Sequence, residues 1–182
     1  DLPILPDEAL DMLRSLCKKE HPNIIIGTSM GGMFAGQLRG YRKILVNPAF
    51  HVSEFMRTQI GVHEFLNPRQ DGKTQYEITS ELCDAYQAIE KCQFEDLSPF
   101  DQNNTYALFG KNDTLVHGHD EFIAHYKKDN TRWFEGEHRL NFEITKDIVV
   151  PLIHKIMKEE IKEKLLSSPL FNLSLSSKEL FH

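Results

Sequence analysis

Cysteine is scarce. The three in this 182-residue chain, Cys17, Cys83 and Cys92, are odd in number and widely spaced, so they do not make a disulfide framework, and no C-x-x-C zinc pattern is present. Three reduced thiols and a cytoplasmic setting are expected. Long apolar runs are missing as well: none approaches the roughly 20 residues that span a bilayer, and no membrane span is expected. Positive charge is in deficit, with Lys+Arg 21 against Asp+Glu 27 and a net charge of −6. A protein that neutralises phosphates shows the opposite balance, so no nucleic-acid partner is expected. Internal repeats and low-complexity linkers are absent. What is present, 40% apolar and 26% charged residues, is the composition of one ordinary globular domain.

The order of elements is informative. Residues 7–20 place Ala9, Leu13, Leu16 and Cys17 on one stripe at helical spacing, with acids first and lysines last, as the helix dipole favours. Asn23–Thr28 is a β-branched run ending at a glycine, which reads as a buried strand. Residues 30–39 open a helix, and Lys43–Pro48 is a second buried strand. Thr105–Gly110 and Thr131–Phe134 are the third and fourth, with a helix over His119–Lys128 between them. Strands that are continuously apolar and alternate with helices predict a parallel α/β sheet covered on both faces. Residues 51–104 exceed a normal crossover and carry helical pieces at Leu82, Tyr86 and Ile89, which suggests a helical lid insertion. A last helix over about 141–166 bears Ile144, Ile148, Leu152 and Ile156 on one stripe, with Pro151 marking a kink or a fresh start. A single domain over 1–166 is expected, followed by a Ser- and Leu-rich tail at 167–182.

Chemistry concentrates in Gly27-Thr28-Ser29-Met30-Gly31. This is a G-x-S-x-G where a strand ends and a helix begins, the arrangement that holds a nucleophilic serine hydroxyl out above a sheet edge on a strained turn. Side chains at Gly27 and Gly31 are expected to collide with neighbouring backbone. No G-K-[ST] follows, so a phosphate cradle is the weaker reading. A serine of this kind needs an acid and then a histidine further along the chain. Asp113 follows the third strand by three residues, and His138 lies in the loop after the fourth. All three candidates therefore come after the C-terminal ends of parallel strands, where sites gather in open α/β sheets. The amide of Met30, the residue after the serine, is the recognisable oxyanion donor. Asp120, at the start of the following helix, is expected to cap it rather than to hold the histidine. His117-Gly118-His119-Asp120 with Asp113 offers a second reading as a metal cluster, a pattern more often met as solvated residues.

Gly-Thr-Ser-Met-Gly-Gly-Met-Phe-Ala at 27–35, Val46-Asn47-Pro48-Ala49, Gly-Lys-Asn-Asp-Thr-Leu-Val at 110–116 and Gly-Glu-His-Arg-Leu at 136–140 resemble the YqiA-like esterases of the α/β-hydrolase superfamily. The likeness runs over about residues 1–157. It implies a parallel-sheet α/β-hydrolase fold and a serine esterase or thioesterase that uses no cofactor and no metal. It carries the nucleophile onto Ser29, the acid onto Asp113 and the base onto His138, and leaves Asn47-Pro48 to shape a turn. The expected partner is a small acyl ester or thioester, with Phe55, Met56 and Phe65 hinting at an apolar acyl pocket. Members of the superfamily carry an earlier strand and a loop that gives a second oxyanion amide, and Asp1-Leu2-Pro3 comes after that segment. The resemblance thus implies a sheet lacking its N-terminal strands and an open edge on Ile24–Thr28, to be covered by a partner copy, by the tail at 167–182 or by the upstream segment; a homodimer is the expected cover. The alternative is a non-catalytic binding protein on the same fold.

Overall fold

A computed structural model describes residues 1–167, and the expected C-terminal tail lies almost wholly outside them. Helix α1 covers Pro6–Glu20, with Pro6 in its first turn, Asp7 and Glu8 next, and Lys18 and Lys19 at its end. This is the charge order that the dipole rewards. Its buried residues are Pro6, Ala9, Leu10 and Cys17, while Leu16 is half exposed. The apolar stripe is therefore rotated toward Leu10 and away from Leu16.

Four parallel strands follow: β1 (Ile25–Thr28), β2 (Lys43–Val46), β5 (Thr105–Gly110) and β6 (Thr131–Phe134), in the spatial order β1-β2-β5-β6. Their registers align Thr28 with Val46, Val46 with Leu108, and Gly110 with Phe134, so all four release the chain at the same end of the sheet. In β2 and β5 every residue is buried, and both faces of these central strands are closed to solvent. The outer strands differ: Ile26 is 42% exposed and Trp133 51%. The reading of β1 as a buried strand therefore needs correction, because among the described residues it pairs with β2 alone and stands at a sheet edge.

Lys43, the first residue of β2, is wholly buried. Its Nζ donates to Asp101 Oδ1 at 2.8 Å and to the Leu38 carbonyl at 2.8 Å. Asp101 sits in helix α5 (Pro99–Asn104) and also accepts from Ser98 Oγ and the Gly40 amide. Burial alone would raise the Asp101 carboxyl, but these three donors outweigh it and hold the group below the usual carboxylate range. Burial pulls the Lys43 ammonium down, against the opposing pull of Asp101. The pair ties α5 to the first residue of β2.

The insertion at 51–104 holds more than helix. Helix α3 (Val52–Arg57) leads into an antiparallel hairpin, β3 (Gly61–Glu64) with β4 (Gln75–Ile78), then helix α4 (Ser80–Lys91) and α5. The hairpin strands alternate between exposed positions and half-buried or, at Ile78, buried ones, the period-2 signature of a one-sided sheet. Leu82, Cys83, Tyr86 and Ile89 form one core with Ala9 and Leu10 of α1 and with Met33 and Phe34 of helix α2 (Met30–Gly36). Glu90 of α4 ties down the start of α3, accepting from the Ser53 amide at 2.7 Å and from Ser53 Oγ at 2.5 Å. Cys17 and Cys83 are buried thiols, Cys92 is exposed, and all three are free.

The described residues fall into two compact units, divided after Arg139. In the second, the Asn141 side chain caps α7 (Phe142–Ile144), a π-helical segment covers Thr145–Val149, and α8 (Val150–Leu166) continues it with Pro151 in its first turn. Thr145, Val149 and Val150 all keep right-handed helical backbone, so the expectation of a fresh start at Pro151 needs correction. The π-helical segment adds one residue to the helical repeat, which explains why Val149 rather than Ile148 is buried alongside Ile144, Leu152 and Ile156.

Candidate active site

The site begins with the turn between β1 and α2. Ser29 has φ 54° and ψ −123°, a strained combination for a residue with a side chain. The surrounding backbone holds it there. Its amide donates to the Val46 carbonyl at 2.9 Å, and its own carbonyl accepts from the amides of Gly32 and Ala49 at 2.8 and 3.1 Å. The elbow is thereby stitched to the end of β2. Gly27 is required by close approach, because a Cβ there would lie 2.1 Å from the Gly31 carbonyl oxygen. Gly31 departs from expectation, since a Cβ there would meet nothing within 4 Å. The second tight glycine is Gly32, whose Cβ would sit 3.0 Å from Pro48. Met30 is the first residue of α2, where a backbone N–H has no acceptor within its own helix.

Asp113 and His138 come together. His138 Nδ1 lies 2.8 Å from Asp113 Oδ2, and the aspartate side chain is 3% exposed. The other carboxylate oxygen, Oδ1, accepts from the amides of Leu115 and Val116 at 2.8 and 3.1 Å. The whole carboxylate is thus an acceptor with a fixed orientation. The loop that carries His138 is drawn against the end of β5: the Asn112 amide donates to the Gly136 carbonyl, and a Cβ on Gly110 would lie 2.6 Å from the Glu137 carbonyl oxygen. Ser29 and His138 line one cavity of about 440 Å³. Its apolar lining comes from Ala49, Phe50, Val52, Phe55, Leu115 and Val116. Of the aromatic and sulfur side chains expected there, only Phe55 takes part. Met56 is in the α4 core, and Phe65 stacks on Tyr76 and Arg69 of the hairpin region.

Asp120 does not cap α6 (His119–His125). The residue at the cap is Gly118, and the exposed Asp120 carboxylate reaches His119 Nδ1 at 3.1 Å. His119 packs edge-on against Phe109 and leans on Trp133. Among the described residues, no three His, Cys, Asp or Glu side chains converge on a point where a metal ion could be held. The metal reading of residues 113–120 therefore finds no geometric support. Sequence reasoning understated Asn47, whose side chain bridges β5 and the histidine loop. The available signal was an asparagine at the end of a buried strand, directly before a proline.

Residues 2–149 match the uncharacterised protein family UPF0227. The chain belongs to this family. The likeness to YqiA-like esterases drawn from the four motif segments agrees with that assignment. No curated protein matches the chain. Among solved structures it is similar to Est1E from Butyrivibrio proteoclasticus, with 14% identity, a TM-score of 0.57, and 84% of this chain and 70% of that one covered. It is also similar to the monoacylglycerol lipase of Paleococcus ferrophilus, with 12% identity, a TM-score of 0.54, and coverage of 84% and 75%. A third, α/β hydrolase domain-containing protein 10 from mouse, shows 11% identity, a TM-score of 0.53, and coverage of 84% and 69%. At these identities the shared property is the fold, and this UPF0227 protein has the parallel-sheet core of an α/β hydrolase.

Proposed function

We propose that this UPF0227 protein is a serine hydrolase that cleaves carboxylic esters or thioesters through an acyl-enzyme on Ser29. One observation carries the reading: a serine on a strained strand-to-helix turn shares a cavity with a histidine whose Nδ1 is bound to a buried aspartate. Asp113 accepts from Nδ1–H of His138 and leaves Nε2 as the basic nitrogen. Ser29 Oγ attacks the acyl carbon while Nε2 takes its proton, and the Met30 amide holds the oxyanion. His138 returns that proton to the leaving alcohol or thiol as the carbon–oxygen or carbon–sulfur bond breaks. Water then attacks the acyl-enzyme with the same base, releasing the acid and restoring Ser29. The apolar cavity wall suits an acyl chain, with α3 as its lip through Phe55. Residues 1–166 acting as one domain, the insertion serving as a lid, and association through the open β1 edge belong to the same proposal.

The test is turnover of p-nitrophenyl esters together with labelling by a fluorophosphonate. Ser29→Ala should abolish both and leave the circular dichroism spectrum unchanged. Full turnover by the alanine variant overturns the assignment of the nucleophile. Failure of the folded wild-type protein to label favours a binding protein on the hydrolase scaffold.

A further inference from the structure

We infer that Asn47 is a positioning residue for His138, a role that rests on the hydrolase reading and extends it by one residue. Asn47 directly follows β2 and is 2% exposed. Its backbone has φ 43°, a left-handed conformation that asparagine tolerates better than most residues. Every polar group of its side chain is engaged. Oδ1 accepts from the Gly110 amide at 2.7 Å, and Nδ2 donates to the carbonyls of Glu137 at 3.2 Å and His138 at 2.9 Å. The Asn47 amide donates to the Leu108 carbonyl at 2.9 Å.

These bonds join the end of β2, the end of β5 and the loop of the proposed base through a single side chain. Ser29 is held at the end of β2 through Val46 and Ala49, and Asp113 follows β5 by three residues. Asn47 therefore ties the backbone of His138 to the same strand ends that place the nucleophile and the acid. Asn47 is absent from the cavity lining that Ser29 and His138 share, so its effect on chemistry passes through the geometry of His138. A turn-shaping role alone would need the backbone conformation at 47 and not the two donations to 137 and 138. Only an amide offers both an acceptor and two donors from one planar group.

Two variants separate these roles. Asn47→Gly keeps the left-handed backbone at no steric cost and removes all three side-chain bonds. Asn47→Asp keeps the acceptor for Gly110 and loses both donations to the histidine loop. Each should lower kcat for a p-nitrophenyl ester by about 10²-fold with KM within about threefold, the effect of a base displaced by about 1 Å. The low-field proton resonance of His138 Nδ1–H, held on Asp113, supplies a readout independent of turnover in Asn47→Gly. Loosening the Asp113 contact should shift that resonance upfield or broaden it away. A folded Asn47→Gly protein with wild-type kcat and an unmoved His138 Nδ1–H resonance overturns the inference, as does failure of both variants to fold. Turnover retained by Ser29→Ala would instead sink the hydrolase reading, and the His138 Nδ1–H resonance would still report on Asn47.

Discussion

At Ser29 and its neighbours, one missing Cβ decides whether the turn can form. Gly27→Ala would press a methyl group onto the Gly31 carbonyl at a nominal 2.1 Å, where no flexible side chain can give way. The expected cost is at least the ~1–3 kcal/mol of an overpacked core site. Gly31→Ala meets open space inside α2, where alanine is favoured over glycine by roughly 0.5–1 kcal/mol. Urea titration should rank Gly27→Ala as strongly destabilised and Gly31→Ala as equal to wild type or better. Equal losses would show that the turn and not the close approach is limiting. The two candidate acids separate in the same way. Asp113 is buried and bonded to His138, whereas Asp120 is exposed and reaches only His119. Asp113→Asn should lower turnover by about 10⁴-fold through the wrong imidazole tautomer, and Asp120→Asn should leave it near wild type. The reverse order in a steady-state assay would sink the assignment of the acid.

Between elements, two buried polar sites set stability. Removing the Asp101 charge leaves Lys43 buried without its ion-pair partner, so Asp101→Asn should cost about 3–5 kcal/mol. Because the folded carboxyl sits below its unfolded range, its contribution is present above about pH 4 and fades as pH falls through the folded value. Thermal unfolding of the wild type should therefore weaken in acid, and the asparagine variant should show a flatter decline from a lower Tm. A parallel decline would show that other carboxylates dominate. Tyr126 packs in the core with Phe109 and Phe122, and its hydroxyl is buried with no hydrogen-bond partner among the described residues. Burial pushes that phenol up to about 12. Tyr126→Phe relieves an unsatisfied group worth ~1–3 kcal/mol, and a rise in Tm is expected. A fall would mean that the hydroxyl does bond in solution.

For the whole molecule, the open side of β1 is the feature with the widest reach. Ile26 is 42% exposed on a strand that, among the described residues, has a neighbour on one side only. Unpaired strand backbone beside an apolar side chain is a template for association. Sedimentation equilibrium of residues 1–182 should give a dimer, and Ile26→Lys, which places a charge on that edge, should give a monomer. A wild-type monomer across the micromolar range would show that the edge does not associate. No helix among the described residues is long and apolar enough to cross a membrane, as the broken apolar runs implied.

What the residues determined alone is local. The β-branched runs at 25–28 and 43–46, the charge order of α1, and the G-x-S-x-G turn each follow from interactions within a few residues, so element types and the order Ser29, Asp113, His138 could be read directly. The hairpin at 61–78 could not, because its short alternating strands gain stability only when they pair. The packing of helix α4 into the core could not be read either, because sequence spacing cannot say that Tyr86 meets Phe34. The exposure of Ile26 depended on where β1 fell in the sheet, not on its own composition. Asn47 shows the division most clearly. Its turn-forming chemistry is visible beside Pro48, but its bonds to Gly110, Glu137 and His138 span 63 to 91 residues. Only the parallel registers of β2, β5 and β6 bring those groups within reach of one amide.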